Sequence, residues 1–229
     1  MSTPTMTSPS SNTRMDAKTI TSLAMLTALA YIVMLMSKSL PQVSGFLQFD
    51  LTDTVICIGG FIFGPMSAAI ISILIGVLDT LSDGGTGPIG MIMNIISSAS
   101  FCCTASFIYK RRHTKNGAVV SLICAVVTMT AVMLLWNYLI TPIYQNVPRE
   151  VVVSMLPTIF LPFNAVKGGL NMALTLLLYK PIVSAMRSAH LVPPSKSSQG
   201  KKLNGGMILF AAALLITFGT LALVLADII

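Results

Sequence analysis

The sequence predicts an all-α membrane protein, built as a six-helix transmembrane bundle with a seventh transmembrane helix at the C-terminus. Of the 229 residues, 54% are hydrophobic and 9% are charged, and the mean hydropathy is +0.84. A soluble domain has about 25% charged residues. Apolar runs that approach the ~20 residues of a spanning helix recur along the chain. Lysine and arginine residues lie mostly at the ends of these runs, as in membrane proteins.

The chain divides into four predicted parts. Residues 1–17 begin with the Ser/Thr/Pro-rich stretch "MSTPTMTSPSSNTR" and are predicted to be a disordered cytoplasmic segment. Residues 18–188 form the six-helix membrane domain, residues 189–206 a basic linker, and residues 207–229 the additional hydrophobic helix. The apolar runs cover residues 20–36, 51–63, 66–81, 89–109, 118–140, 157–179 and 207–226.

The second and third runs are short and are separated only by Gly64 and Pro65. Proline cannot continue a helix without losing a hydrogen bond, so the pair marks a break. Two arrangements are compatible with this spacing. The runs form either one broken hairpin or two tilted helices joined by a tight turn.

The charge distribution predicts the orientation. With a cytoplasmic N-terminus and alternating helices, only Lys38 and Arg149 fall outside, Lys167 falls within a span, and the other eleven of the 14 Lys and Arg residues fall inside. This bias follows the positive-inside rule. We therefore expect a multi-pass membrane protein with a cytoplasmic N-terminus. The net charge of +7 does not indicate a nucleic-acid partner, because no basic domain with interleaved aromatic residues accompanies it.

The stretch "LPFNAVKGGLNMALTLLLYKP" carries a lysine inside a segment long enough to cross the bilayer. An ammonium group in hydrocarbon costs roughly 3 kcal/mol or more. Asn164, Lys167 and Asn171 are spaced i, i+3, i+7 and so share one helix face. Gly168 beside them leaves room for a ligand or a second backbone. These residues are predicted to face a polar cavity.

Other polar or aromatic residues fall at the same depth near the outer side of the predicted bundle. They come from the first outer loop and from the ends of the third, fourth and fifth helices: Phe46, Leu47, Gln48, Phe49, Asp79, Asn94, Trp136 and Asn137. Together with the lysine stretch, they predict a pocket for a small molecule.

Each signal also has a structural interpretation. The asparagines could bond to neighbouring helices, Lys167 could extend to the interface, and Trp136 could belong to an interfacial aromatic belt. Asp79 could be part of a solvated helix end. The spacing of Ala24 and Ala28 predicts a small-residue face where another helix approaches closely, either within the bundle or from a partner.

Two stretches resemble a known family. "FLQFDLTDTVICIGGFIFGPMSAAI" and, far downstream, "LPFNAVKGGLN" are similar to the riboflavin-specific substrate-binding (S) component of energy-coupling-factor (ECF) vitamin transporters. The resemblance covers about residues 18–188 and implies six membrane helices with both ends of the domain inside. The seventh apolar run exceeds that family's six spans.

The resemblance implies a riboflavin binder that works with a transmembrane coupling subunit and two ATPases. Asn164 and Lys167 match the family's ligand-contacting positions, and Asn137 matches a further polar contact. Leu47 and Phe49 match first-loop positions, where Phe49 replaces the family's common tyrosine and has no hydroxyl. Ala24 and Ala28 match the face that docks the coupling subunit. No cofactor of its own is expected, and ATP is consumed by the partners.

Two alternatives remain at this point. The chain could bind another vitamin or small metabolite with the same polar groups. It could instead be a polytopic membrane enzyme that holds a metal through acidic residues at the outer face, namely Asp50, Asp53, Asp79 and Asp83. We expect neither enzymatic activity nor a metal site, because both histidines lie apart from these carboxylates.

Overall fold

The structure is a computed structural model that describes residues 17–83, 87–192, 205–226 and 228. The predicted N-terminal segment, apart from Ala17, and most of the predicted linker lie outside the described residues. Eight α-helices account for most of the rest: α1 Ala17–Ser37, α2 Thr52–Phe63, α3 Pro65–Asp83, α4 Gly87–Arg111, α5 Lys115–Tyr144, α6 Arg149–Met155, α7 Leu161–Ser188 and α8 Gly205–Leu225.

The predicted membrane bundle is confirmed. Within the described ranges, six helical segments are long and apolar enough to cross a membrane, and α2 is a shorter apolar helix of 12 residues. A π-helical turn at Leu156–Phe160 joins α6 to α7, so that Arg149–Ser188 forms one continuous helical segment. Together with α2, the described residues thus contain seven apolar helical segments, six of them long enough to span, and the last of these is α8.

The helix boundaries differ from the prediction in two places. The sixth span begins at Arg149 rather than at residue 157, because the π-helical turn accommodates Pro157 without ending the helix. The second and third runs are two separate helices joined at Gly64, whose φ of +97° favours glycine. The structure therefore shows two helices joined by a tight turn and not one broken hairpin.

The first loop contains a short β-hairpin that the all-α prediction missed. Strand β1 (Gln42–Val43) pairs antiparallel with β2 (Leu47–Gln48), with Val43 opposite Leu47. Ser44 and Gly45 in the turn both have positive φ, as the mirror-image turns of tight hairpins require. Strands this short leave almost no sequence pattern.

The hairpin packs on the start of α7. Val43, Leu47 and Phe49 form an apolar cluster with residues of α7 such as Phe163, and the rings of Phe49 and Phe163 have centroids 5.0 Å apart. The hairpin lies at the end of the bundle where α1, α3 and α5 end and α2, α4 and α7 begin. We call this end the hairpin end.

Helix α2 runs through the interior. Ten of its 12 residues, Thr52 to Phe61, are buried, and it contacts α1, α3, α4 and α7. A helix that is apolar on all sides is expected in such a position. Because α2 is enclosed by protein, its polar residues must find partners on neighbouring helices.

Adjacent glycines let two helices approach α7. A methyl group at Gly168 would lie 3.0 Å from Val126 of α5, and one at Gly169 would lie 2.5 Å from ring carbons of Phe218 on α8. Helix α8 packs chiefly on α7. The glycine pair is thus explained by close helix packing on both sides.

We expect Gly169→Ala to weaken the docking of α8, because the added methyl group would displace the Phe218 ring. The expected cost is about 1–3 kcal/mol of stability, measured as a lower melting temperature in detergent. The matched control is Gly219→Ala on α8, where no atom lies within 4 Å. That variant should retain or raise the melting temperature. Equal effects of the two substitutions would contradict the packing explanation.

Candidate ligand-binding site

A cavity of about 420 Å³ lies at the hairpin end of the bundle. Its volume falls within the range of roughly 300–1,000 Å³ that is usual for small-molecule sites. The hairpin and five helices contribute to its wall: α1 through the residues just after it, together with α3, α4, α5 and α7. Six chain segments therefore converge on one cavity, as the shared depth of the polar residues predicted.

Nine of the twelve residues predicted for the ligand pocket line this cavity. They come from every part of the chain named in the prediction: Phe46, Leu47, Gln48, Asp79, Asn94, Trp136, Asn137, Asn164 and Lys167. The cavity combines aromatic and aliphatic groups with amides, one carboxylate and two ammonium groups, of which one is that of Lys38. Such a mixture suits a ligand with an apolar ring and several hydrogen-bonding groups.

Helix α7 supplies two buried polar groups of the wall. Asn164 is 2% exposed and Lys167 is 7% exposed, and both line the cavity. The Asn164 side-chain nitrogen donates to the Phe160 carbonyl oxygen at 2.8 Å. This bond holds the amide in place while its oxygen can still accept a hydrogen bond from a ligand.

Helix α5 supplies a second fixed amide. Asn137 donates from its side-chain nitrogen to the Met133 carbonyl oxygen at 2.7 Å, and its oxygen accepts from the Thr141 hydroxyl at 2.9 Å. All three residues line the cavity. The local bonds along α5 therefore fix the orientation of Asn137 before any ligand arrives.

A polar network forms another part of the wall. The Lys38 ammonium lies 3.0 Å from the Asp79 carboxylate, which also accepts a hydrogen bond from the Asn94 side-chain nitrogen at 2.9 Å. The network joins the end of α1 to α3 and α4. Asn94 thus makes the interhelical bond considered from the sequence, while still lining the cavity.

Three predicted residues do not reach the cavity. Asn171 bonds to α2: its oxygen accepts from the Thr54 amide and from the Thr54 hydroxyl, both at 2.9 Å. Gly168 faces α5, and Phe49 is buried against Phe163. The helical spacing was correct for Asn171, but the neighbouring helix α2 occupies that part of the face.

The cavity is also lined by residues that were not predicted as ligand-binding from the sequence. They are Lys38, Gln42, Gly45, Thr80, Ile89, Gly90, Met93, Ser97, Met133, Ile140, Thr141, Tyr144, Gln145 and Phe163. The sequence spacing could have indicated Thr141 and Gln145, because they follow Asn137 at successive intervals of four residues and so share its helix face. The apolar members carry no such signal, because Met and Ile are common everywhere in this chain.

The acidic residues proposed as an outer metal site do not gather in the described part of the chain. Asp79 pairs with Lys38, and the Asp50 carboxylate accepts hydrogen bonds from the Thr52 amide and hydroxyl. Asp53 is buried within the bundle. No group of three or more potential metal ligands occurs among the residues that the structure describes.

Comparison with known proteins decides the family. The family model of the ECF transporter substrate-specific component matches residues 18–183. The chain belongs to this family. The match spans α1 to most of α7 and ends before α8. As a member of a family of transporter components, the protein is not an enzyme.

Two relatives cover most of the chain. The riboflavin transporter FmnP of Bacillus subtilis is 29% identical over 193 residues, which is 77% of this chain and 100% of that protein. The riboflavin transporter RibU of Staphylococcus aureus is 27% identical over 180 residues, covering 74% of this chain and 93% of that protein.

A solved structure gives the same result for the fold. The S component of a bacterial ECF transporter superposes with a TM-score of 0.63 at 26% identity, covering 74% of this chain and 98% of that chain. This ECF S component is thus a multi-pass membrane protein with the architecture of that structure. The resemblance to this family that the sequence indicated is confirmed.

Proposed function

We propose that the protein is the riboflavin-binding S component of an ECF transporter, which captures the vitamin outside the cell. The observation that carries the proposal is the cavity that brings Lys167, Asn164 and Asn137 together in a member of this family. Relatives named as riboflavin transporters support the choice of vitamin.

The chemistry of the cavity suits this ligand. Riboflavin has a neutral planar ring with an imide edge and a polyhydroxy tail. Asn164 and Asn137 can donate and accept without adding charge, and the Lys167 ammonium can donate to a carbonyl or hydroxyl oxygen. Phe46 and Trp136 offer aromatic surface to the ring. Phe49, buried against Phe163, supports the hairpin instead.

Import requires partners in this proposal. A transmembrane coupling subunit and two ATPases supply the energy, and ATP is bound by those ATPases, so that the S component needs no cofactor of its own. Ala24 and Ala28, the proposed docking face, are both exposed on α1. Because α8 packs chiefly on α7, it supports the bundle from another side and leaves this face open.

The charge pattern supports one orientation in the bacterial cell membrane. Basic residues lie at the end opposite the hairpin, including Lys110 and Arg111 in the last turn of α4 and Arg187 in the last turn of α7. By the positive-inside rule that end faces the cytoplasm, as does the N-terminus. The cavity then faces the exterior, where the vitamin is captured.

The single tryptophan of the chain provides the test. Trp136 lines the cavity, so bound riboflavin should quench the fluorescence of Trp136 in the purified protein. The preparation should also absorb at about 450 nm, where the free vitamin absorbs. In Trp136→Phe, the quenching of tryptophan fluorescence is lost, but quenching of riboflavin fluorescence should persist. A colourless protein that quenches neither signal would contradict riboflavin and favour another small vitamin for the same site.

A further inference from the structure

One buried acidic group has no role in the site as described so far. Asp53, in the first turn of α2, is 1% exposed, and neither of its carboxylate oxygens has a hydrogen bond of normal geometry, although the Ser98 side chain lies near it. A buried carboxylate without a partner is strongly destabilising unless an opposite charge compensates for it. The position of Asp53 therefore requires an explanation.

The backbone around Asp53 is tied to the turn of α7 that carries Lys167. The next residue, Thr54, bonds to the Asn171 side chain through its amide and its hydroxyl. Asn171 in turn donates to the Lys167 carbonyl oxygen at 3.1 Å. The Cys102 thiol donates to the Asp53 carbonyl oxygen at 3.4 Å. The bonds through Thr54 and Asn171 tie the start of α2 to the helical turn of α7 that runs from Lys167 to Asn171.

The charges around Asp53 act in opposite directions. The Lys167 ammonium attracts the Asp53 carboxylate, while Asp50 repels it. Lys167 and Asp53 form no direct ion pair, in contrast to Lys38 and Asp79. Their charges therefore interact at a distance greater than that of an ion pair, and in the low-polarity interior of the bundle such an interaction is stronger than in water.

We propose that Asp53 is a positioning residue of the ligand site: its carboxylate is the buried countercharge that holds the Lys167 ammonium at the cavity wall. Lys167 lines the cavity and Asp53 does not. Asp53 therefore acts on the ligand only through the lysine. This inference rests on the proposed function where it concerns riboflavin, but the charge pair itself does not depend on which ligand binds.

A double-mutant cycle on the full chain tests the pair. The variants are Asp53→Asn, Lys167→Gln and the two combined, and each is measured for its melting temperature without ligand and for riboflavin affinity. Each single change leaves one buried charge uncompensated, so each should lower the melting temperature by roughly 5 °C or more. The double variant should recover most of that loss.

The riboflavin affinities distinguish a positioning role of Asp53 from a role in stability alone. Asp53→Asn should weaken riboflavin binding about tenfold, the effect of disturbing one charge-assisted hydrogen bond. In the Lys167→Gln background the same change should weaken binding no further, because the group through which Asp53 acts is gone. The matched control is Thr130→Val, which removes another buried oxygen without a partner and should change neither quantity.

Three results would overturn the proposal. These are unchanged affinity in Asp53→Asn, an equal further loss in the Lys167→Gln background, and melting temperatures that simply add. If Asp53→Asn cannot be purified, recovery of the double variant supports the pair, and failure of both overturns it. If the wild-type protein does not bind riboflavin, the proposed function fails, while the melting-temperature cycle still decides the charge pair.

Discussion

Replacing Lys167 with alanine is expected to weaken riboflavin binding by roughly tenfold to a hundredfold, which corresponds to about 1.5–3 kcal/mol for a hydrogen bond to a charged group. Lys167 is 7% exposed and lines the cavity beside Asn164. No other residue on α7 offers a cationic donor at this level. The loss should appear in titrations of the purified protein that follow Trp136 and riboflavin fluorescence.

The lysines of α7 provide the control for this prediction. Lys180→Ala changes the same residue type on the same helix, near the end opposite the hairpin. It should leave the affinity unchanged, and both variants should insert into the membrane in similar amounts. If Lys167→Ala binds riboflavin as tightly as the wild type does, or if both lysine variants lose affinity equally, the role assigned to Lys167 is wrong.

Leucine at both Ala24 and Ala28 is expected to abolish uptake of riboflavin by cells while leaving its binding intact. Both alanines are exposed on α1, and neither lines the cavity. Larger side chains there would prevent the close approach of a coupling subunit, because such helix contacts depend on small residues. Uptake should fall to background in cells that depend on imported riboflavin, whereas the purified variant should retain its affinity.

Ala131→Leu on α5 is the matched control, because it adds the same side chain at another exposed alanine. This variant should support normal uptake and binding. Loss of binding in the Ala24 and Ala28 variant would show that α1 stabilises the cavity rather than docking a partner. Normal uptake in that variant would exclude the proposed docking face.

The number of spans and the position of the site could be predicted from the sequence. The hydrocarbon core of the bilayer imposes a minimum length on a spanning helix, and most of the apolar runs in the sequence have about that length. Polar residues within such runs are costly, so Lys167, Asn164 and Asn137 were visible as exceptions. The same reasoning missed the hairpin, because two-residue strands have no measurable period.

The choice among similar residues needed the tertiary structure. Asn164 and Asn171 lie on the same face of one helix, yet Asn164 faces the cavity and Asn171 bonds to Thr54 of α2. Sequence spacing defines a face but does not say which neighbour covers each part of it. The sequence also could not decide whether Gly168 leaves room for a ligand or for a second helix, and the structure shows it against Val126 of α5.

The sequence alone determined that this is a multi-span membrane protein with a group of polar residues near one end of its helices, because the cost of placing polar groups in lipid leaves a pattern in every span. Only the tertiary structure decided which polar groups face that pocket and which hold the helices together. It also showed that Asp53, one of the acidic residues considered for a metal site at the outer face, is buried within the bundle. Contacts between residues more than a hundred positions apart leave no periodic trace in a single chain.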